Sequence, residues 1–333
     1  MTRTPRRRRA TAAVLATVVA TLALAGCTTE SVTPASGPVA YVALGAGAAN
    51  PGSTVGVVDA ATGATGRPIG VGTLPAALAL VPGGADLLVA VKAQNELVEV
   101  STSSGRVVRR VTVGLEPDAV AVTPDGSRAL VAEFGDDTVT AVALPGFTVA
   151  GHVAVGHQPV SVAVTPDGSR ALVAGFGDGT LTPVSLAGLV AGPPVPVGPS
   201  PSAVFVASSG TTALVTGFRT STVTPVALPG LVAGRPVPIG ANATDIAGAA
   251  GSPTAWVSGG SSVTPYVIAT GQVGRPVAIG TPAQCVAVAP DGEVWVGTAA
   301  RTLVEVDPTT GTVVRTVAVA GLPAAVVVTP KAG

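Results

Sequence analysis

A short signature recurs along this chain at an almost constant spacing. Val-Gly-x-x-Pro ends at Pro75, Pro117, Pro159 and Pro201, and the degenerate copies IGANA, IGTPA and AGLP end at Ala243, Ala283 and Pro323. We call these seven residues the anchors. The intervals between them are 42, 42, 42, 42, 40 and 40 residues. So even a spacing indicates that one supersecondary unit is repeated along the chain.

Each period is typical of four short strands. In the second repeat the predicted strands are Asp118–Thr123, Arg128–Glu133, Thr138–Leu144 and Val149–Val155. Val-rich runs of this length, separated by turns of Pro, Gly and Asp, favour strands, and no helical period competes after residue 27. Four strands in about 42 residues predict one blade of a β-propeller.

The anchors also predict how the ring closes. Six of them open complete repeats, but Pro323 is followed by one strand, Ala324–Thr329. Three unassigned strands precede the first anchor, at Val39–Leu44, Thr54–Asp59 and Arg67–Val71. We therefore expect an all-β, seven-bladed β-propeller with four antiparallel strands per blade, whose closing blade is shared by N- and C-terminal strands. Such closure leaves no long unpaired edge.

Two segments carry a resemblance to a known repeat family. The pattern P-x-x-V-x-V-x-P-D-G-S-R-A-L-V-A occupies residues 117–132 and again 159–174. It resembles the repeats of YVTN-type β-propellers, and Tyr41-Val42 keeps half of the tetrapeptide that names them. The resemblance covers about residues 38–333. It implies the propeller fold, and it also allows a structural role in a cell envelope. No Trp-Asp pair ends a repeat, which excludes the WD40 type.

The amino-terminal segment has the composition of an export signal. Residues 1–26 contain five Arg and no acid, and the segment is apolar from Ala10 to Gly26. A basic start followed by a short apolar core is typical of a secretory signal, and this core is too short to span a bilayer stably. A signal anchor and an ordinary secreted protein are the alternatives at this point.

The end of that core, Leu24-Ala25-Gly26-Cys27, resembles the lipobox of bacterial lipoproteins. The resemblance implies cleavage before Cys27 and attachment of a diacylglycerol to its thiol. Paired acyl chains are sufficient for stable anchoring. We therefore expect a lipoprotein-type signal peptide at 1–26, a flexible tether at 27–37 and the propeller at 38–333. The expected location is the extracytoplasmic face of the cell membrane, with the membrane contacted through the lipid.

Charge and composition exclude several classes of function. Removal of five Arg leaves 13 basic and 18 acidic residues, a net charge of −5. A nucleic-acid partner is therefore not expected, because such binding needs a basic surface. The chain has two His and two Cys, and it lacks a phosphate-binding G-x-x-x-x-G-K-[ST] loop. We expect no cofactor and no metal.

Most residues able to carry chemistry have a simpler structural interpretation. Asp125, Asp167 and Asp291 each lie in Pro-Asp-Gly and are predicted turn residues. Cys285 begins an inner strand and is predicted to be a buried, unreactive thiol. His152 and His157 are predicted to be exposed and unable to share one metal.

Acidic residues nevertheless concentrate between Glu96 and Asp137. Several belong to the two kinds of loop that meet on one face of a propeller, namely the loop into each inner strand and the loop between the second and third strands. The candidate ligand-face residues are Glu116, Glu133, Asp136, Asp137, His157, Gln158, Asp178 and Arg219. Phe134, Phe176 and Phe218 recur at 42 residues and either pack between blades or form an aromatic rim.

The sequence favours a non-catalytic module that binds an unknown protein, glycan or small molecule. One alternative is a propeller lyase or hydrolase, possibly metal-assisted, in which Glu116, Glu133 and His157 converge at the channel mouth. A second alternative is a structural cell-envelope component, which would self-associate. The fold alone does not decide among them.

Overall fold

The computed structural model describes residues 37–45, 52–240 and 242–330. This part of the chain is all-β, and its helical content is a single 3₁₀ turn, Lys92–Gln94. The strands form seven antiparallel sheets. Each inner strand contacts the inner strands of the two neighbouring sheets, so that the sheets form a closed ring. The predicted seven-bladed β-propeller is confirmed.

We number the blades by their anchors, from blade 1 at Pro75 to blade 7 at Pro323, and their strands from the channel outward. The strands of blades 1, 2 and 6 are Pro75–Leu80, Asp86–Val91, Glu96–Ser101 and Arg106–Thr112; Pro117–Val122, Arg128–Glu133, Thr138–Ala143 and Thr148–Ala154; and Ala283–Val288, Val294–Thr298, Thr302–Asp307 and Thr312–Ala318.

In blades 3, 4 and 5 the outer strand consists of two short pieces. The strands are Pro159–Val164, Arg170–Gly175, Thr180–Ser185, Val190–Ala191 and Val195–Pro196; Pro201–Val206, Thr212–Gly217, Thr222–Ala227, Val232–Ala233 and Val237–Pro238; and Ala243–Ala247, Thr254–Gly259, Ser262–Val267, Gln272–Val273 and Val277–Ala278.

Blade 7 is built from both ends of the described chain, as predicted. Its strands from the channel outward are Leu322–Val328, Val39–Gly45, Thr54–Asp59 and Ile69–Gly70. The first two pair antiparallel, with Tyr41 opposite Val327. The outermost strand is shorter than predicted because Pro68 immediately precedes it and cannot donate a backbone hydrogen bond.

The anchor signature is the turn into each inner strand. All seven anchors are buried. In each blade the register shifts next to the anchor, between Pro117 and Ala119 for example, which is a β-bulge. In five blades the residue before the anchor has a left-handed backbone, with φ between 49° and 60°. The repeated sequence therefore encodes a repeated backbone bend.

A proline in the third strand accompanies each split outer strand. In blade 3, Pro183 O accepts a 2.8 Å hydrogen bond from Gly192 N of the outer strand. The N–H and C=O of a strand residue point to the same side. The N–H that Pro183 lacks would therefore also have faced the outer strand, so one hydrogen bond between the third and outer strands is missing there. Pro225 and Pro265 hold this position in blades 4 and 5, whereas Glu99 and Glu305 hold it in blades 1 and 6, whose outer strands are continuous.

The hydrophobic core is divided among the seams between blades. Seven clusters of buried side chains are present, one in each seam. Most members are Val, Ala and Leu, and Trp295 and Tyr266 are the largest fully buried side chains. Small branched side chains let the blades pack closely with few aromatic residues. The loops on either face therefore rest on a rigid ring.

Candidate ligand-binding face

We call the face that carries the loops into the inner strands and the loops between second and third strands the loop face. Within a blade, side chains of the loop between the second and third strands accept hydrogen bonds from the backbone of the loop that leads into the inner strand. Asp136 Oδ2 accepts from Leu115 N at 2.5 Å, and Asp178 Oδ2 accepts from His157 N at 2.9 Å. Gln94 Oε1 does the same for Thr73 N in blade 1, at 2.9 Å.

A second set of hydrogen bonds joins each blade to the next. Asp137 Oδ1 accepts from Gln158 N at 2.8 Å, and Asn95 Oδ1 accepts from Glu116 N at 3.0 Å. Ser221 Oγ accepts from Asn242 N at 2.9 Å. The Gln158 N–H bond, and then the His157 contact, hold the pKa of Asp137 below its usual value. The predicted ligand-face acids Asp136, Asp137 and Asp178 are therefore brought together as loop supports.

Glu133 lies beneath the loop face and not on it, which corrects the sequence-based placement. Its side chain is fully buried. It accepts hydrogen bonds from Gly114 N at 2.9 Å, from Thr138 Oγ1 at 2.5 Å, and from Thr140 Oγ1. Because the residue ends the second strand, its carboxylate turns under the loop and meets the hydroxyls of the third strand. Three donors satisfy the buried charge.

Glu116, Gln158 and Arg219 lie on the loop face, with Glu116 and Arg219 exposed. The left-handed backbone of Glu116 and Gln158, at φ 52° and 53°, recurs before three other anchors, so it belongs to the repeat and is not evidence of function.

His157 is the other exposed candidate. Its Nδ1 lies 3.0 and 3.1 Å from the two carboxylate oxygens of Asp137, and its side chain is 58% exposed. A contact this exposed contributes little to stability. The second histidine, His152, is also exposed, and its Nδ1 lies 2.7 Å from Thr140 Oγ1. The two histidines have separate partners.

The metal-assisted arrangement considered from the sequence is not assembled. Within the described residues, no group of three or more His, Cys, Asp and Glu side chains could hold a metal ion. Glu133 faces its three donors below the surface, whereas His157 is held by Asp137 above it.

Several aromatic and aliphatic side chains of the loop face are exposed. Phe218 is 38% exposed, and Phe134 and Phe176 are half-buried at the equivalent positions. The loops into the inner strands add Leu74, Leu115 and Leu322, each more than a third exposed. Several exposed apolar side chains on one face are typical of an interaction surface.

Lys92 belongs to the same ring of positions and was missed in the sequence analysis. It lies one period before Phe134, where a spacing of 42 residues would have located it. Its Nζ is 2.8 Å from Asp118 Oδ1 and 5.6 Å from the centre of the Phe134 ring. Burial raises the pKa of Asp118, and Lys92 opposes that shift. Lys92 therefore places a cation, paired with Asp118, over the Phe134 ring.

Asp245 is a second group that the sequence did not reveal. Its Oδ1 accepts from Ile246 N at 2.8 Å and its Oδ2 from Val286 N of the next blade at 2.9 Å. Ser161 Oγ makes the equivalent bond to Val204 N, at 3.1 Å, two blades earlier. Burial raises the pKa of Asp245 to about 6. Its anchor, Ala243, belongs to a degenerate repeat, so the sequence pattern did not indicate this position.

The remaining predicted residues have structural surroundings. Cys285 is 2% exposed, and burial raises the pKa of its thiol. Asp125 and Asp167 accept hydrogen bonds from Thr and Ser of their own turns, which lower both pKa values to about 2. Cys27, the predicted lipid-attachment residue, lies outside the described residues. Within the described ranges, no helix is both long and apolar enough to cross a membrane.

The fold defines this chain as a seven-bladed β-propeller with a loop-rich candidate binding face. No protein-family model and no curated protein sequence matches it. Among solved structures, it is similar to a functionally unknown protein from Desulfotomaculum acetoxidans, with TM-score 0.78, 14% identity, and 88% of this chain and 99% of that chain covered.

Two further solved structures share the fold. A 6-phosphogluconolactonase-like protein from Bacteroides uniformis has TM-score 0.72 and 14% identity, over 88% of this chain and 99% of that one. Hydrazine synthase from Kuenenia stuttgartiensis has TM-score 0.66 and 16% identity, over 81% of this chain and 90% of that one. At such identities the likeness establishes the fold alone, since propellers carry many functions.

Proposed function

We propose that this chain is a lipid-anchored, extracytoplasmic β-propeller that binds a partner without catalysis through its loop face. The proposal rests on a difference between the acidic and the apolar side chains of that face. Asp136, Asp137 and Asp178 accept hydrogen bonds from the backbone, while apolar rings and leucines remain exposed around them. An exposed apolar set on a rigid scaffold favours recognition over proton transfer.

The partner is a protein segment, a glycan or a small molecule. Phe176 and Phe218 offer partly exposed apolar surfaces on this face. Lys92 lies over the Phe134 ring, and His157 adds a second polar group to the same face. This combination suits an amphipathic partner, because aromatic side chains contribute large contact areas at interfaces. The expected net charge of −5 for the mature chain argues against nucleic acid.

The amino-terminal segment supports the location of the protein. Residues 1–26 serve as a lipoprotein-type signal peptide, Cys27 receives the lipid, and residues 27–37 act as a tether for a YVTN-type propeller over 38–333. This arrangement holds the propeller at the extracytoplasmic face of the cell membrane. It leaves a tether of about ten residues, which lets the loop face reach a partner near that surface.

A site-specific crosslinking experiment tests the loop face. A photo-crosslinking amino acid replaces Phe218 in the full-length acylated protein, and a matched variant carries it at Val314 on the outer strand of blade 6, which is 51% exposed. We expect a discrete adduct in native membranes from position 218 and none from 314. Equal adducts from both positions, or no adduct from 218, would overturn the proposal.

Anchoring has its own test. Cys27→Ala in the full-length chain removes the thiol that accepts the lipid. We expect the protein to leave the membrane fraction and lose incorporation of labelled palmitate, while Cys285→Ala, which removes a buried thiol, changes neither. Retention of Cys27→Ala in the membrane would show that the lipobox assignment is wrong.

A further inference from the structure

The face opposite the loop face, which we call the hairpin face, contains a cavity at the seam between blades 3 and 4. Its volume is about 490 Å³, within the range of small-molecule sites. A second cavity of about 310 Å³ adjoins it. Arg170 lines both.

Sequence changes at this seam account for the open space. At the seam between blades 1 and 2, Arg109 is held by Glu99 and lies 4.9 Å from the centre of the Phe147 ring. Two periods later, Pro183, Pro193 and Leu231 occupy the positions of Glu99, Arg109 and Phe147. The large side chains that fill the first seam are thus replaced by small ones, and Pro183, Pro193 and Leu231 line the second cavity.

The Arg170 guanidinium has unused hydrogen-bonding capacity. Within the described residues it donates one hydrogen bond, from Nη1 to Pro229 O at 3.0 Å. An arginine side chain carries five N–H donors in a planar fork. The remaining donors are available to a ligand, and the fork matches a carboxylate.

The other charged residue of the first cavity is occupied by its own turn. Asp167 Oδ1 accepts from Thr165 Oγ1 at 2.6 Å and from Ser169 N at 3.0 Å, and Asp167 Oδ2 accepts from Ser169 Oγ at 2.8 Å. Its two oxygens are therefore directed into the hairpin. These bonds lower the pKa of Asp167 to about 2 and keep it an anion, so Arg170, the cation of the cavity, is the group able to pair with a ligand carboxylate.

The rest of the first cavity combines the hydroxyls of Thr165, Ser169 and Ser209 with the apolar side chains of Pro166, Leu228 and Pro229. The second is mainly apolar, with Val190, Pro193 and Leu231 in its lining. We propose that this seam is a binding site for a small carboxylate with an apolar body, whose carboxylate pairs with Arg170 and whose body lies against the Leu, Val and Pro side chains. The site lies on the opposite face from the proposed partner surface, so the two proposals stand or fall separately.

Equilibrium binding to the full-length protein tests the site. The probes are octanoate and N-acetyl-leucine, which represent aliphatic and amino-acid-derived carboxylates, with octan-1-ol, octylamine and N-acetyl-leucinamide as matched controls. We expect saturable binding of at least one acid, at least about tenfold tighter than its uncharged control, since the control forfeits a charge-assisted pair. Failure of both acids to bind at millimolar concentration, or a preference for octylamine, would overturn the proposal.

The chain offers a matched control for the arginine. Arg128 occupies the equivalent position one blade earlier and donates to Leu186 O across its own seam at 2.7 Å. We expect Arg170→Gln to weaken binding at least about tenfold and Arg128→Gln to leave it unchanged. Equal loss in both variants would count against a direct contact between Arg170 and the ligand.

A variant that fills the cavity opening tests the site without changing Arg170. Ser209 is exposed on a turn that lines the first cavity, so Ser209→Phe can place a ring in the opening without disturbing the core. We expect weaker binding of the acid than in Ser209→Ala, which loses the same hydroxyl contacts with Thr211 without filling the opening. Full binding by Ser209→Phe would count against the cavity as the site.

Discussion

Asp137 in blade 2 accepts a 2.8 Å hydrogen bond from the backbone N–H of Gln158, the residue that leads into blade 3. Both residues have left-handed backbones, with φ of 57° and 53°. Asn95 and Ser221 form the same connection from blades 1 and 4. A single side-chain acceptor, repeated along the chain, therefore fixes the position of one blade's loop relative to the next.

Replacement of Asp137 should separate the hydrogen bond from the backbone conformation. We expect Asp137→Ala to lower the free energy of unfolding by about 1–2 kcal/mol, since it removes the acceptor and places Ala in a left-handed conformation. Asp137→Asn keeps an acceptor and should be close to neutral. Asp137→Gly reproduces blade 3, where Gly179 has φ 72°, and should fall between them. Urea unfolding measures the order, and a larger loss for Asn than for Ala would contradict it.

The buried carboxylate of Glu133 should be sensitive even to an isosteric change. Glu133→Gln turns one acceptor oxygen into a donor that faces Gly114 N–H or the hydroxyls of Thr138 and Thr140. We expect a loss of about 2 kcal/mol in the free energy of unfolding. Glu116→Gln, on the exposed surface, is the control and should change little. Equal midpoints in denaturant for the two variants would mean that Glu133 is not stabilised as described.

Asp245 should impose an unusual pH dependence on stability. Its pKa in the folded protein is about 6, above the value of about 3.8 in an unfolded chain. The folded state therefore holds a proton that the unfolded state releases between these values. The stabilisation is complete below about pH 3.8 and is lost as the pH rises through about 6, with a slope of at most about 1.4 kcal/mol per pH unit.

Asp245→Asn should remove that component. We expect the difference in unfolding free energy between wild type and Asp245→Asn to change steadily from pH 4 to 6 and to level off above pH 7. Denaturant unfolding at each pH measures it. A difference that is constant over this range would show that Asp245 does not titrate there.

Glu99 and Arg109 form a pair whose members should not be removed singly. Glu99 is 4% exposed, and Arg109 Nε lies 2.5 Å from its Oε2. Arg109→Ala leaves the buried carboxylate without its cation, and we expect it to cost about 2 kcal/mol, since Arg109 itself is partly exposed. The double variant with Glu99→Ala should be more stable than Arg109→Ala alone. Additive losses in a double-mutant cycle would contradict this coupling.

The repeated signature was sufficient to predict the blades and the closure of the ring. The backbone bends in the same way at each anchor, and the same bend requires similar residues in every blade. The strands of the second repeat were placed to within one residue of their observed ends. The split outer strands of blades 3 to 5 were not predicted, although Pro183 and its equivalents were visible. In blade 7 the outer segment makes the same contact, Gly66 N to Val57 O, without a proline in the third strand, so Pro183 and its equivalents do not by themselves predict the split.

The candidate face was predictable only in part. The period assigned Asp136, Asp137 and Asp178 to the correct loops, but it carries no information on depth, so the buried carboxylate of Glu133, which ends its strand, could not be told from an exposed one. Asp245 was hidden for a different reason. Its role depends on a hydrogen bond to Val286 in the next blade, a relationship between two degenerate repeats that no local pattern encodes.

The composite blade 7 has a consequence for the order of events in synthesis. The partner of Val39–Gly45 is Leu322–Val328, a strand that is translated after all six other blades. Until it arrives, the strand that opens the described chain has an unpaired edge facing the channel. If the chain is exported unfolded, completion of the ring must wait for the end of translocation, and a chaperone outside the membrane would meet an open arc with one exposed strand.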